Sequence, residues 1–365
     1  MSDLYIGLMS GTSLDGADGV LVDFANPELR VLASSTQAFS NDFRAELLAL
    51  NSPANNELHR AALAANQLAE VYAAVAASLL EQTKLTAQDI KAIGAHGQTV
   101  RHQPALGYTT QLNNPSLLAE RTGIDVAADF RSRDVAAGGQ GAPLVPAFHQ
   151  SVFGKQNSTT LVLNIGGISN ISVLPATGNV LGFDCGPGNA LMDAWCLQHT
   201  GQNFDEGGKW AASGQIIPAL LASLLDEPYF AIPPPKSTGR DLFSLTWLGA
   251  KLKPFSAQRP VDVQNTLTEF TVKACIAGAS SYLNNSIELI VCGGGAFNCY
   301  LMQRLQAGLP SLKVVSSSAH SLPPLQVEAA AFAWLARQTV LRLPGNLPRV
   351  TGAAGLRVLG AVYPA

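Results

Sequence analysis

Asp184 is the residue whose type and setting point most directly to catalysis. It stands in Gly182-Phe183-Asp184-Cys185-Gly186-Pro187-Gly188-Asn189, after a short predicted strand and before a predicted helix over 190–200. A carboxylate at a strand end, beside glycines that open the backbone to a ligand, sits where general bases are found. A turn or N-cap aspartate would share the spacing, and the flanking glycines favour the catalytic reading.

A second group suits a phosphate. Gly11-Thr12-Ser13-Leu14-Asp15-Gly16-Ala17-Asp18 joins the apolar run 4–9 to a second apolar run ending at Phe24. Glycines let backbone N–H groups approach an anion closely, and the Ser and Thr hydroxyls add donors. Asp15 and Asp18 can hold a divalent ion against such a phosphate, directly or through its waters. The pattern returns where the run 160–165 meets Gly166-Gly167 and leaves as 168–174. Gly293-Gly294-Gly295 follows the apolar strand 289–292 and opens a helix, as a nucleotide-binding turn would. A tight strand–helix connection would look the same. The chain has neither G-x-G-x-x-G nor G-x-x-x-x-G-K-[ST], so no Rossmann fingerprint or P-loop is present.

Polar residues at strand ends supply candidates for a substrate pocket. His96, Gln98 and Thr99 close the buried strand 90–95. His96 and His102 could be read as a metal pair, but no carboxylate or cysteine lies at ligand spacing from them. Arg131, Arg133 and Asp134 fit either a grip on a carboxylate-bearing ligand or a surface ion-pair cluster. Glu328 opens an apolar helix, where a glutamate ordinarily serves the helix dipole. Lys236-Ser237-Thr238-Gly239-Arg240-Asp241 follows a proline run and reads as a mobile rim.

The elements that must position these groups alternate between strand and helix, the mark of an α/β architecture. Two similar hairpins half a chain apart predict two related lobes that point loops into a shared nucleotide cleft. The first lobe is expected over 1–135, with strands near 4–9, 17–24, 29–37, 90–95, 109–112 and 124–128. Its helices fall near 41–50, 57–83 and 116–122. The Gly-rich stretch 136–143 reads as the crossing, and the second lobe as 136–343, closed by a helix over 327–341. The Gly/Pro-rich tail 344–365 could pack on either lobe, the first included.

At 365 residues the chain has room for two domains. Hydrophobic residues make up 47% and charged residues 13%, which describes a well-buried globule. A net charge of -3 gives no footprint for nucleic acid or an anionic membrane. Five cysteines without a C-x-x-C pair fit free thiols in a reducing, cytoplasmic compartment. Met1-Ser2-Asp3 lacks a basic leader, and the alanine-rich stretch 61–80 carries Asn66, Gln67 and Glu70. It reads as a core-facing amphipathic helix rather than a membrane span.

Taken together, these residues resemble the anhydro-N-acetylmuramic acid kinase family, a branch of the sugar kinase/Hsp70/actin superfamily. The resemblance spans nearly the whole chain. It rests on Met9-Ser10-Gly11-Thr12-Ser13-Leu14-Asp15-Gly16, His96-Gly97-Gln98-Thr99, the stretch 138–146, Asn164-Ile165-Gly166-Gly167, Asp184-Cys185-Gly186-Pro187-Gly188-Asn189, Lys236-Ser237-Thr238-Gly239-Arg240, Cys292-Gly293-Gly294-Gly295 and Val350-Thr351-Gly352-Ala353. It implies two RNase H-like lobes around a nucleotide cleft. It also implies a cell-wall recycling enzyme that uses ATP and Mg²⁺ to turn 1,6-anhydro-N-acetylmuramic acid into N-acetylmuramic acid 6-phosphate, often as a homodimer. A different sugar or acyl kinase of the superfamily is the alternative. By this resemblance Gly11 to Asp18 cradle the phosphates, and Gly166, Gly167, Gly186, Gly188, Asn189, Gly293, Gly294 and Gly295 line the nucleotide site. Asp184 is the base, Glu328 moves from cap to sugar site, and Arg131 or Arg133 meets the lactyl carboxylate. Asn113-Asn114 and 321–324 depart from the family pattern and bear on the shape of the sugar pocket.

Overall fold

Runs of Val, Ile and Leu form the strands of the computed structural model, and alanine-rich amphipathic runs form the helices that cover them. The structure describes residues 3–11, 14–26, 29–239 and 241–365. In chain order the strands are β1 Leu4–Met9, β2 Gly16–Asp23, β3 Arg30–Ala38, β4 Ala92–Ala95, β5 Gln98–Gln103, β6 Tyr108–Leu112, β7 Val126–Ala128, β8 Thr159–Ile165, β9 Ile168–Leu174, β10 Leu181–Pro187, β11 Ser286–Cys292, β12 Lys313–Ser316 and β13 Ala361–Tyr363. They fall into two units, Met1–Val152 with Gln326–Ala365, and Phe153–Leu325.

The first unit carries a six-stranded sheet in the order β13-β7-β4-β1-β2-β3. β1, β2 and β3 form an antiparallel meander, with β4 parallel to β1 and β7 parallel to β4. The second unit repeats this plan in five strands, β10-β9-β8-β11-β12. β8, β9 and β10 form the meander, and β11 and β12 run parallel beside it. The repeat is the duplication that the paired hairpins predict, and each unit has the RNase H-like layout. β5 and β6 form a separate two-stranded ribbon, an arrangement the sequence reading did not separate from the main sheet.

Helices close each sheet by burying one face. In Glu57–Thr83 the buried residues Leu68, Tyr72, Val75, Ala76 and Leu79 line one side. By length and composition this helix is apolar enough to cross a membrane, but that side is spent in the core cluster with β1 and β2. Val327–Val340 lies across β1 and β4 so closely that a Cβ on Gly7 would run into the Ala329 carbonyl. One on Gly94 would strike that of Phe332. In the second unit Pro260–Ala279 runs behind β9 and β10, burying Val263, Leu267 and Phe270.

The division differs from the expected boundary in two ways. The stretch 136–143 lies inside the first unit, where Gln140 N donates to Thr351 O (2.6 Å) and Ala354 N donates to Ala137 O (2.8 Å). The helix expected to close the second lobe belongs to the first, because its small residues are what β1 and β4 can accept at such close range. The tail also lies in this unit, where β13 pairs antiparallel with β7.

Candidate functional site

The candidate residues form two groups, one in each unit. In the first, parallel pairing of β1 with β4 delivers Ser10 and His96 from adjacent strand ends. Ser10 is buried and donates to Gly97 O (3.1 Å), so its 3.0 Å contact with Tyr72 Oη has the phenol donating. Arg131 lies just past Asp129, at the start of the short helix Ser132–Ala136, and donates from Nη1 to Gly141 O (2.8 Å). Its Nε and Nη2 reach His96 Nε2 at 3.1 and 2.9 Å. A guanidinium only donates, so Nε2 accepts and the imidazole proton sits on Nδ1, directed at Ser10 O (3.2 Å).

This geometry fixes the charges. Burial, then the Arg131 charge, pushes the His96 pKa down to about 3, so the ring is neutral at physiological pH. Both ring nitrogens are engaged. Burial also lowers Arg131 to about 10, with Glu328 opposing the shift, and Arg131 stays protonated. Glu328, in the first turn of Val327–Val340, is open to solvent on one side yet densely surrounded by protein. That surrounding protein pushes its carboxyl pKa up, Arg131 pulls it down, and Asp18 adds an upward push.

Gln98 and Thr99 start β5. Gln98 is buried and its Oε1 has no partner among the described residues, while Thr99 Oγ1 accepts from Gln111 Nε2 (3.2 Å). Arg133 is exposed and, with Ala136, Ala137 and Arg357, lines a concavity of about 190 Å³. Asp134 is not a surface residue available to grip a ligand. It is fully buried and holds Asn346, Thr351 and the Gly141 amide. Asn114, one of the two departures from the family pattern, caps the helix Pro115–Thr122 by accepting from Leu117 N (3.1 Å).

The loop after β1 is described at Gly11 and from Leu14 onward; Thr12 and Ser13 lie outside the described residues. Leu14 N donates to Gly11 O (3.2 Å), with Leu14 in the left-handed region at φ 59. Leu14 and Ala17 are core residues, and Gly16 is needed because a Cβ there would crowd Gln37 O at 2.5 Å. Only their backbone remains for a phosphate. Asp15 meets Arg44 at 3.4 Å on the surface, and Asp18 accepts from Thr36 Oγ1 at 2.7 Å.

In the second unit Asp184 lies within β10, an edge strand that runs on to Pro187. The expected strand end before a Gly-Pro-Gly turn is therefore corrected. The register with β9 slips between Asp184 and Gly186, and such a bulge re-aims the neighbouring side chains. Asp184 Oδ2 accepts from Ser237 Oγ and from Thr238 N, each at 2.9 Å. Its backbone is held as well: its N donates to Lys236 O (3.1 Å), and Tyr229 Oη donates to its carbonyl (2.7 Å). Oδ1 has no hydrogen-bond partner among the described residues. Burial raises the carboxyl pKa, and the two donors on Oδ2 partly offset that.

The sequence reading missed this seat. The segment 236–238 holds the carboxylate and the backbone of Asp184, for which its Ser-Thr composition was a usable signal. Nothing in the sequence singles out Tyr229.

The remaining glycines gather at the ends of β8, β10 and β11. Asn189 N donates to Gly166 O (2.7 Å) and Gly188 N to Gly167 O (2.9 Å), tying the 166–167 turn to the start of the helix Ala190–Thr200. Gly186 lacks room for a side chain because of Phe230, Gly188 because of the Gly166 carbonyl, Gly293 because of Asn164, and Gly295 because of Ile165. Gly166 is different. A Cβ there would meet nothing nearer than 3.7 Å, and Gly294 faces Asn189 Nδ2 at 3.3 Å. The open backbone at Gly166 leaves room for a nucleotide, while Asn189 is engaged, its N with Gly166 O and its Nδ2 with Ile165 O (3.1 Å). For a divalent ion, no group of three His, Cys, Asp or Glu side chains is present among the described residues. The pair Asp15 and Asp18 suits an ion carried largely by phosphate and water, as Mg²⁺ usually is.

A family model described as anhydro-N-acetylmuramic acid kinase matches residues 3–365. The protein of that name from Albidiferax ferrireducens is 64% identical over 389 residues, covering 100% of both chains. That from Variovorax paradoxus is 63% identical over 372 residues, covering 100% of this chain and 99% of its own. Paraburkholderia xenovorans has one at 54% over 367 residues, covering 99% and 98%. Among solved structures, component A of the (R)-2-hydroxyglutaryl-CoA dehydratase of Acidaminococcus fermentans aligns with a TM-score of 0.51 at 11% identity. It covers 91% of this chain and 96% of that one. The activator of the Clostridium difficile 2-hydroxyisocaproyl-CoA dehydratase, with bound ADPNP, aligns with a TM-score of 0.50 at 12% identity, covering 94% and 96%. The last two speak to fold alone, the two-unit α/β architecture described above.

Proposed function

Because this chain belongs to the anhydro-N-acetylmuramic acid kinase family, we propose that it converts 1,6-anhydro-N-acetylmuramic acid, ATP and water to N-acetylmuramic acid 6-phosphate and ADP, in cell-wall recycling. The observation that carries the mechanism is Asp184, a carboxylate with one oxygen anchored by two donors and the other without a protein partner.

The substrate dictates what the residues must do. A 1,6-anhydro sugar has no free O6, so water must form a bond to the anomeric carbon as the C1–O6 bond breaks. O6 then forms a bond to the γ-phosphorus, and the bond between that phosphorus and the β–γ bridging oxygen breaks. Asp184 Oδ1 takes the water proton, while Ser237 and Thr238 hold Oδ2 and fix which oxygen faces the water. Burial raises the pKa, which makes the carboxylate a better base than an exposed one. General-base help of this kind is worth about 10²–10⁴-fold in rate.

Arg131 and Glu328 bind the sugar, and His96, neutral and bonded at both ring nitrogens, keeps Arg131 in its plane. Gln98 and Thr99 supply further polar contacts, with the unpartnered Gln98 Oε1 as an acceptor. Arg131 or Arg133 meets the lactyl carboxylate. The backbone of 11–18 cradles the phosphates, and Gly166, Gly167, Gly186, Gly188, Asn189 and Gly293 to Gly295 line the nucleotide site. Asp15 and Asp18 would hold Mg²⁺, which supplies charge neutralisation for the phosphates when bound.

Five free cysteines support a reducing, cytoplasmic setting. Family membership supports a homodimer, which light scattering checks. The activity is tested by offering ATP with the anhydro sugar and, separately, with free N-acetylmuramic acid. The reading expects 6-phosphate at a useful rate from the first only. Equal or faster turnover of the free sugar would point to another sugar kinase of the superfamily.

A further inference from the structure

Two of the shared motifs, 138–146 and Val350-Thr351-Gly352-Ala353, have no part in the chemistry above, and the fold joins them through one buried carboxylate. Asp134 is fully buried and makes no ion pair among the described residues. Asn346 Nδ2 (2.7 Å) and Thr351 Oγ1 (2.8 Å) donate to its Oδ1, and Gly141 N donates to its Oδ2 (2.8 Å). Gly139 N donates to its backbone carbonyl (2.9 Å), and a Cβ on Gly139 would overlap its carboxylate. The same Gly141 whose amide Asp134 holds offers its carbonyl to Arg131 Nη1 (2.8 Å). Arg131 in turn donates to His96 Nε2. The C-terminal segment thus reaches Arg131 through Asp134 and one residue, Gly141.

We propose that Asp134 is a positioning residue. With Asn346 and Thr351 it anchors the Gly141 turn at its N–H, so that the carbonyl on the far side of that turn holds the Arg131 guanidinium on His96 and beside Glu328, in the orientation that receives the sugar. A carboxyl side chain suits this task better than an amide, because both of its oxygens can accept, one from Asn346 and Thr351 and the other from Gly141, whereas an amide offers a single accepting oxygen. The Gly141 N–H and C=O lie in successive peptide planes, joined at a left-handed turn (φ 66) that Val135 packs against. Fixing the N–H anchors one side of that turn and the Arg131 bond the other. The role rests on the proposed assignment of Arg131 to the sugar.

The test is Asp134→Asn in the full chain. The amide can still accept from Asn346 and Thr351, but it turns an N–H toward the Gly141 amide, which breaks the clamp. The expected result is a rise of roughly tenfold or more in KM for the anhydro sugar, with KM for ATP within twofold of the parent. The His96 ring ¹⁵N shifts should also leave the pattern of an Nδ1–H tautomer whose Nε2 accepts from a guanidinium, a readout that needs no turnover. Leu79→Ala, a core change in the same unit, controls for lowered melting temperature alone. Should Asp134→Asn fail to fold, Thr351→Val, which removes one donor and keeps the carboxylate, is expected to give the same two signs at smaller size. Unchanged sugar KM and unchanged His96 shifts would overturn the proposal, as would losses that track those of Leu79→Ala. A parent protein that does not phosphorylate the anhydro sugar would instead overturn the functional reading, and the His96 shifts would still decide the clamp.

Discussion

Asp184→Asn separates binding from chemistry, and the structure says how. Oδ2 accepts from Ser237 Oγ and Thr238 N, and an asparagine can place its carbonyl oxygen there and keep both bonds. The side chain stays seated, and its amide nitrogen takes the position of Oδ1, where it can accept no proton. Turnover should fall by about 10²–10⁴-fold, equivalent to roughly 3–5 kcal/mol of barrier at 1.36 kcal/mol per tenfold, with KM for sugar and for ATP within about threefold of the parent. Stability moves the other way. Burial raises the Asp184 pKa in the fold, so the protonated form is the one folding favours. That contribution is fully present below the ordinary aspartate value near 4 and is lost as pH rises through the raised folded value. Asparagine never ionises, so the variant's melting temperature should gain on the parent's between pH 4 and pH 7. Steady-state kinetics and melting scans across that range read both effects. Parental turnover, or a matching rise in both KM values with turnover kept, would refute the reasoning.

Other changes probe the remaining parts. Arg131→Lys cannot hold Gly141 O and His96 Nε2 in one plane, and kcat/KM for the sugar should drop about tenfold to hundredfold, from lost charge-assisted bonds worth about 1.5–3 kcal/mol. A parental value would remove the fork from sugar binding. Gly94→Ala forces a methyl into the Phe332 carbonyl and should cost about 1–3 kcal/mol, seen as a melting temperature lower by several degrees. An unchanged melt would contradict the close seat of Val327–Val340. Chelation by EDTA should abolish turnover while leaving the melting temperature of the nucleotide-free protein unchanged, since no described cluster of three metal-ligating side chains exists. A lowered melt would reveal a resident structural ion.

Much of the fold could be read locally. Apolar runs and glycine turns marked both hairpins, and the repeat of strand, Gly-rich turn and strand at 4–24 and 160–174 announced the duplication before any pairing was known. Helix ends with strong caps were also legible: Gly123 stops Pro115–Thr122 in the left-handed region at φ 64. What escaped was long-range. Nothing near residue 134 says that its carboxylate will be met by Asn346 and Thr351 some 212 and 217 residues later. The unit boundary was misplaced for the same reason, because 136–143 has the composition of a linker and owes its place to that distant partner.

At the site, residue types were legible and their duties less so. Asp184 stood out by its glycines, but its place inside β10 depends on pairing with β9 across a bulge. His96 stood out as a titratable residue at a strand end. Its neutrality follows from its burial and then from the charge of Arg131, 35 residues away. Several glycines that suggested a phosphate cradle, Gly188, Gly293 and Gly295 among them, are required by neighbouring protein atoms instead. A glycine reports that something lies close to the backbone, and the sequence does not say what.

In the proposed mechanism water, not O6, is the first nucleophile. Turnover in ¹⁸O-water, followed by mass spectrometry of the sugar product and its fragments, reads this directly. One heavy oxygen at the anomeric hydroxyl and none in the phosphate is the predicted outcome. Label in the phosphate, or an unlabelled anomeric oxygen before mutarotational exchange sets in, would contradict it.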